Sequence, residues 1–211
     1  MLKFKIIPVT DYEQNCSLIW CDQTHQAVLI DPGGDVPLLL SAIKDNNLDL
    51  KQIWLTHGHF DHISGSEEIA SSCHIEIIGP QQDDLFLLNA LSEQCEMFNF
   101  PQVKNFVSDQ WLSEADTLKL GNEQFEIFHT PGHTPGHIVI IHHASKTVWV
   151  GDVLFKQSIG RTDLPGGNHT QLIDSIKNKL FTLPDDYQFI PGHGPSGFLG
   201  EEKQHNPFLQ G

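Results

Sequence analysis

The chain has 211 residues, enough for one large domain or two small ones and for a complete core. Apolar residues make up 39% and charged residues 18%, a balance that excludes intrinsic disorder and coiled coil. Twelve Lys and Arg against 27 Asp and Glu leave a formal net charge of -15, which disfavours nucleic acid and anionic lipid as partners.

The start, "MLKFKIIPVT", has Pro8 early and no long apolar stretch, so it does not read as a signal peptide. No apolar run approaches the length of a membrane span. A cytoplasmic protein is the expectation. Cys16, Cys21, Cys73 and Cys95 form no C-x-x-C pair and are expected as free thiols of a reducing compartment.

The first thirty residues read as a β-meander, with the runs "FKIIPV", "SLIWC" and "AVLID" separated by polar breaks. After Asp31-Pro32-Gly33-Gly34, Asp35 is placed to cap a helix through Asn46, with Pro37 tolerated in its first turn. "QIWL" reads as a buried strand, "SGSEEIASS" as a helix and "HIEIIG" as another strand. Residues 81–94 are expected to be mostly helical and 98–110 a loop. "DTLKL" and "FEIFH" form a predicted hairpin about Gly121-Asn122, and "HIVIIHH" and "TVWVGD" a second one near Ala144-Ser145-Lys146. Asn168 caps a helix in "HTQLIDSIKNKLF", whose apolar residues recur at helical spacing, and "YQFIP" is a last strand. The strands come in antiparallel clusters with helices between them. That order suits helices covering the outer faces of packed sheets better than a doubly wound parallel sheet.

Four segments repeat one design: an apolar strand, then a glycine and a candidate ligand. "QIWL" leads to His57, His59, Asp61 and His62. "FEIFHT" leads to His133, "TVWV" to Asp152, and "YQFI" to His193. Buried strands fix the positions of their ends, and the glycines permit tight turns, so the seven side chains can converge at one rim. Imidazole with carboxylate suits zinc, iron or manganese more than calcium or magnesium. Five histidines and two aspartates exceed what one tetrahedral ion can use, whereas two ions sharing a bridging carboxylate would use all seven. His137 is expected to pack or to support a ligand, His129 to be structural, and Asp31, in "DPGG", to be a turn residue.

The strings "THGHFDH", "PGHTPGH", "GDVLF" and "PGHG" resemble, in order and spacing, those of the metallo-β-lactamase superfamily. The resemblance implies an α+β fold: an αββα sandwich of two mixed sheets packed face to face, helices on the outer faces and the site at one edge. It assigns His57, His59 and His133 to a first ion, Asp61, His62 and His193 to a second, and Asp152 to the bridge, and it implies that an aspartate at the place of Asp31 braces the ligand loop. Asp61 and Asp152 are then the catalytic carboxylates, and the cofactors are two divalent ions, zinc before iron or manganese. "GDVLFKQSIGRTDLPGGN" and the ending "HNPFLQG" are similar to the glyoxalase II branch, the hydroxyacylglutathione hydrolases, and to its bacterial single-domain members.

That branch implies a small-molecule partner, a glutathione thioester such as S-lactoylglutathione, cleaved to a hydroxy acid and glutathione by a metal-bridging hydroxide. In relatives a basic residue at the position of Arg161 binds a glutathione carboxylate, a task that suits an arginine fork. Lys156 is a second candidate. Two-domain glyoxalase II enzymes carry a helical C-terminal domain that supplies part of the glutathione site. Here the sequence stops eighteen residues after His193, so a single domain spanning 1–211 with a more open pocket, or one completed by another subunit, is expected. The oligomeric state is left open. So are a mononuclear-iron persulfide dioxygenase, which shares similar strings, and a hydrolase of another ester, thioester or lactone.

Overall fold

The computed structural model describes residues 1–210; Gly211, the end of the "HNPFLQG" stretch, lies outside the described residues. The strands are β1 (Leu2–Val9), β2 (Gln14–Cys21), β3 (Gln26–Ile30), β4 (Asp49–Trp54), β5 (Glu76–Ile78), β6 (Thr117–Leu120), β7 (Glu123–His129), β8 (Ile138–His142), β9 (Thr147–Gly151), β10 (Leu154–Phe155), β11 (Ser158–Ile159), β12 (Gln188–Pro191) and β13 (Gly197–Phe198). The α-helices are α1 (Val36–Asp45), α2 (Phe60–Ile63), α3 (Ser66–Cys73), α4 (Leu85–Asn89), α5 (Leu91–Met97), α6 (His169–Asn178) and α7 (Leu199–His205).

Two sheets carry the fold. The first runs β1-β2-β3-β4-β5 and the second β13-β12-β9-β8-β7-β6. Their order produces three apolar layers. Trp54, Val28 and Ile30 of the first sheet meet Phe125, Ile127, Ile138, Ile140 and Trp149 of the second in the layer between them. Leu39 and Ile43 of α1 and Ile69 of α3 cover the outer face of the first sheet. Leu172 and Ile176 of α6 and Leu199 of α7 cover that of the second. The architecture is therefore αββα. β8 and β9 lie inside it and are buried at every position, which explains their unbroken apolar runs. At the open edge β1 carries Lys3, Lys5 and Pro8, residues that discourage pairing with another chain.

Both sheets are mixed, as the resemblance implies: β3–β4, β4–β5 and β9–β12 pair in parallel, which the reading of strand order as antiparallel clusters did not include. Each of these pairs is joined through helices, the long crossover that parallel pairing demands. Asp35 does precede α1, but it makes no side-chain cap: its backbone is left-handed and its carboxylate accepts the Thr10 N–H at 2.6 Å instead. Asn168 does cap α6, accepting the Gln171 N–H at 3.1 Å. All four cysteines are free. Among the described residues no helix is long and apolar enough to cross a membrane.

Candidate metal centre

Each of the seven sequence-predicted donors follows the end of a strand, and the strands come from both sheets. His57, His59, Asp61 and His62 follow β4 of the first sheet. His133 follows β7, Asp152 follows β9 and His193 follows β12 of the second. At the end of β9, Gly151 takes a φ of 47°, a left-handed turn that glycine adopts without strain. His57, His59 and His133 bring one donor atom each within 4.8 Å of one another, and Asp61, His62 and His193 do the same. Asp152 lies between the two groups. Its Oδ1 is 3.4 Å from His62 Nε2, and its Oδ2 is 3.7 Å from His133 Nε2 and 3.8 Å from His193 Nε2.

The hydrogen bonds behind the imidazoles decide which nitrogen faces inward. The Thr56 hydroxyl donates to Asp31 Oδ2 at 2.5 Å, so it must accept from His57 Nδ1 at 3.0 Å. His62 Nδ1 donates to Asp31 Oδ2 at 2.9 Å. His133 Nδ1 donates to the Arg161 carbonyl at 2.8 Å, and His193 Nδ1 to the Tyr12 carbonyl at 3.1 Å. All four rings therefore turn Nε2 to the centre, where it offers a lone pair whenever the ring is neutral. His59 has the opposite orientation, with Nδ1 2.9 Å from His133 Nε2. The Nε2 atoms of His57 and His62 and Oδ1 of Asp152 are buried with no protein partner. Buried acceptors aimed at one place, from a nitrogen–oxygen donor set, are what divalent ions of the zinc, iron and manganese type require. The residues fit a metal.

Electrostatics agree with that fit. Burial holds His57 and His133 below the ordinary imidazole range and brings His59 down to about 3, so these rings are neutral. Burial also acts to lower His62, but Asp152 and Asp61 outweigh it and raise it well above its usual value. For Asp152 burial opposes ionisation, yet His62, His133 and His193 keep the carboxylate far below its usual range. The place between these groups attracts positive charge.

The bracing aspartate sits as expected. Asp31 holds a left-handed φ of 50° at the end of β3, fixed because Oδ1 accepts the Thr56 N–H at 2.7 Å while Oδ2 takes Thr56 and His62. His137 joins neither group of donors. It stacks on His57 at 4.7 Å and accepts the Asp152 N–H at 3.1 Å. His129 also stays outside the groups and bonds the Pro135 carbonyl at 2.8 Å.

The donors open into a cleft of about 250 Å³, lined also by Tyr12, Phe60, Phe98, Arg161 and Leu164. Tyr12 packs edge-on to Phe60 at 5.1 Å and donates its hydroxyl to the Phe98 carbonyl at 3.0 Å. Arg161 reaches this cleft, but its fork already grips Asp163, with two bonds of 2.8 Å. Lys156 does not reach it; it lies exposed on the turn between β10 and β11. Sequence reasoning missed Tyr12, Phe98 and the Thr56 relay. Only Thr56 carried a signal, standing directly before His57.

A profile of the Metallo-beta-lactamase superfamily matches residues 9–193. Hydroxyacylglutathione hydrolase GloC of Haemophilus influenzae is 46% identical over 209 residues, which cover 99% of this chain and 98% of that one. The probable metallo-hydrolase YqgX of Bacillus subtilis is 34% identical over 210 residues, covering 100% and 99% of the two chains. Among solved structures, the B3 metallo-beta-lactamase BLEG-1 superposes with a TM-score of 0.92 at 37% identity, covering 99% of this chain and 100% of that one. TTHA1623 in a di-iron-bound form gives 0.88 at 31% identity, covering 97% and 100%. With a matching profile over most of its length and relatives aligned end to end, this chain belongs to the metallo-beta-lactamase superfamily and is built as a metal-dependent hydrolase.

Proposed function

We propose that the protein is a thioester hydrolase of the glyoxalase II type, cleaving S-lactoylglutathione or a related hydroxyacyl-glutathione at a centre of two divalent ions. His57, His59 and His133 would hold one ion, Asp61, His62 and His193 the other, with Asp152 between them. The observation that carries the reading is the position of Asp152, whose two oxygens face the two groups of donors. The substrate class is supported by the 46% identity to a hydroxyacylglutathione hydrolase and by an arginine at the cleft. Zinc is the proposed ion, and iron or manganese suits the same donors.

Bound as a pair, such ions supply Lewis acidity and bring the pKa of water towards neutrality. The chain's own groups do the rest. Asp61 lines the cleft and is the carboxylate proposed to accept the proton that an attacking water gives up. Tyr12, Phe60, Phe98 and Leu164 give the cleft an apolar wall that excludes bulk water from the acyl group. Arg161 holds a carboxylate remote from the scissile bond once that carboxylate displaces Asp163, an exchange made easy because both side chains are solvent-exposed.

Arg161→Ala is therefore expected to raise KM for a glutathione thioester on the order of tenfold, the size of one lost charge-assisted bond, with a smaller change in kcat. Equal KM values in variant and parent would make Arg161 a solvated loop charge. The reaction class is tested by supplying the zinc- or manganese-loaded protein with S-lactoylglutathione without oxygen, then with glutathione persulfide in an oxygen electrode. Anaerobic hydrolysis and no oxygen uptake are expected. Iron-dependent oxygen uptake with no thioesterase activity would instead identify a persulfide dioxygenase.

A further inference from the structure

Asp84 has no place in the centre as described, yet its side chain is fully buried with no cation beside it. It stands just ahead of α4 and accepts three hydrogen bonds. Oδ2 takes the Gly58 N–H at 2.9 Å and the Thr134 hydroxyl at 2.7 Å, and Oδ1 takes the Gly136 N–H at 2.5 Å. Gly58 lies between His57 and His59, and Thr134 directly follows His133. A single carboxylate thus ties together the two loops that carry the first group of donors.

The packing around it is equally close. A Cβ on Gly58 would lie 2.8 Å from Leu87 Cβ and 2.9 Å from a Leu88 methyl, and one on Gly136 would lie 2.8 Å from Asp84 Cβ. The segment bearing Asp84 is seated directly on both loops, so its carboxylate is held as firmly as the backbone it grips. The second group has other supports. His62 rests on Asp31, and Asn15 donates to the Pro191 and Gly194 carbonyls at 3.0 and 2.8 Å on either side of His193. Asp84 contacts none of these.

We propose that Asp84 is the positioning residue of the first metal site alone: it fixes the spacing of His57, His59 and His133 and leaves the second site untouched. The proposal rests on the two-ion reading above. A carboxylate is needed rather than its amide. An asparagine offers one oxygen for three donors, and its NH2 would face a backbone N–H or the Thr134 hydroxyl donor to donor. Loosening the outer support of a ligand commonly weakens metal binding 10- to 100-fold, roughly the loss expected here.

The test is a competitive titration of Co2+ into the metal-free chain, read by the cobalt absorption bands. Stoichiometry of the parent protein addresses the two-ion reading by itself, since a single Co2+ per chain would end that reading whatever Asp84 does. Asp84→Asn is then compared in two backgrounds: His193→Ala, which retains the first group intact, and His59→Ala, which retains the second. Dissociation constants are expected to rise on the order of 10- to 100-fold in the His193→Ala background and to stay within about twofold in the His59→Ala background. Thr134→Val, which removes one of the three donors and conserves volume, is expected to give a smaller loss with the same selectivity. It serves in the same two backgrounds if the Asp84 variant does not fold. An equal loss in both backgrounds, or no loss in either, would overturn the proposal.

Discussion

Asp152→Ala is expected to lose most of its bound metal and nearly all hydrolysis, a fall on the order of a thousandfold or more, beyond what the loss of a single transition-state donor costs. The reason is geometric. His57, His59 and His133 form one group and Asp61, His62 and His193 another, and Asp152 lies between them, with Oδ1 at 3.4 Å from His62 and Oδ2 at 3.7 and 3.8 Å from His133 and His193. Its removal takes away the carboxylate that lies between the imidazoles of the two groups and that would offset cations bound there. His193→Ala should be milder, losing chiefly the second ion, because His57, His59 and His133 of the first group and Asp152 remain in place. Elemental analysis beside a thioesterase assay separates the cases. Two full equivalents of metal in the Asp152 variant would refute the bridging role.

Phe125→Ala is expected to cost about 3–5 kcal/mol, the usual range for emptying a fully buried phenylalanine site. Phe125 sits in the layer between the sheets, edge-on to Trp54 at 5.0 Å and 6.2 Å from Trp149. Trp54 ends β4 and Trp149 lies in β9, so both neighbours are held by strands that feed ligand loops and cannot close into the space. For a chain of this size that loss corresponds to a fall in melting temperature of about 10 °C. Calorimetry of the metal-free chain measures it without interference from bound ions. A loss below about 1 kcal/mol would mean that the sheets slide together to fill the cavity.

How much of this could be read in advance follows from what each feature depends on. The convergence of the seven candidate side chains was legible because each trails an apolar run by a few residues, and a run buried on both faces, such as "IVII" or "TVWV", has one place to go. The layered arrangement was legible from the same runs. Parallel pairing of β3 with β4 was not, since it depends on where the chain returns after α1 rather than on the composition of either strand. Asp35 obeyed the preference for aspartate ahead of a helix, but the nearby Thr10 N–H offered its carboxylate a stronger claim. Asp84 gave no signal, because nothing in "GPQQDD" indicates which of two adjacent aspartates turns inward. The grip of Arg161 on Asp163 was within reach, being an i to i+2 pair on a loop, and it changes what the arginine must do to meet a ligand.

The origin of the donors in two sheets has a consequence for stability as well as for chemistry. Four of them hang from β4 in one layer and three from β7, β9 and β12 in the other, so an ion held by His57, His59 and His133 joins the layers at their shared edge. Such an ion acts as a clasp. It binds the folded arrangement and not the separated strands, so each occupied site adds free energy by mass action, about 4 kcal/mol when free metal stands a thousandfold above its dissociation constant. With ions held there, the supply of metal in the surroundings would govern how long the folded chain persists, and withholding the ion would withdraw part of the fastening between the two halves of the sandwich.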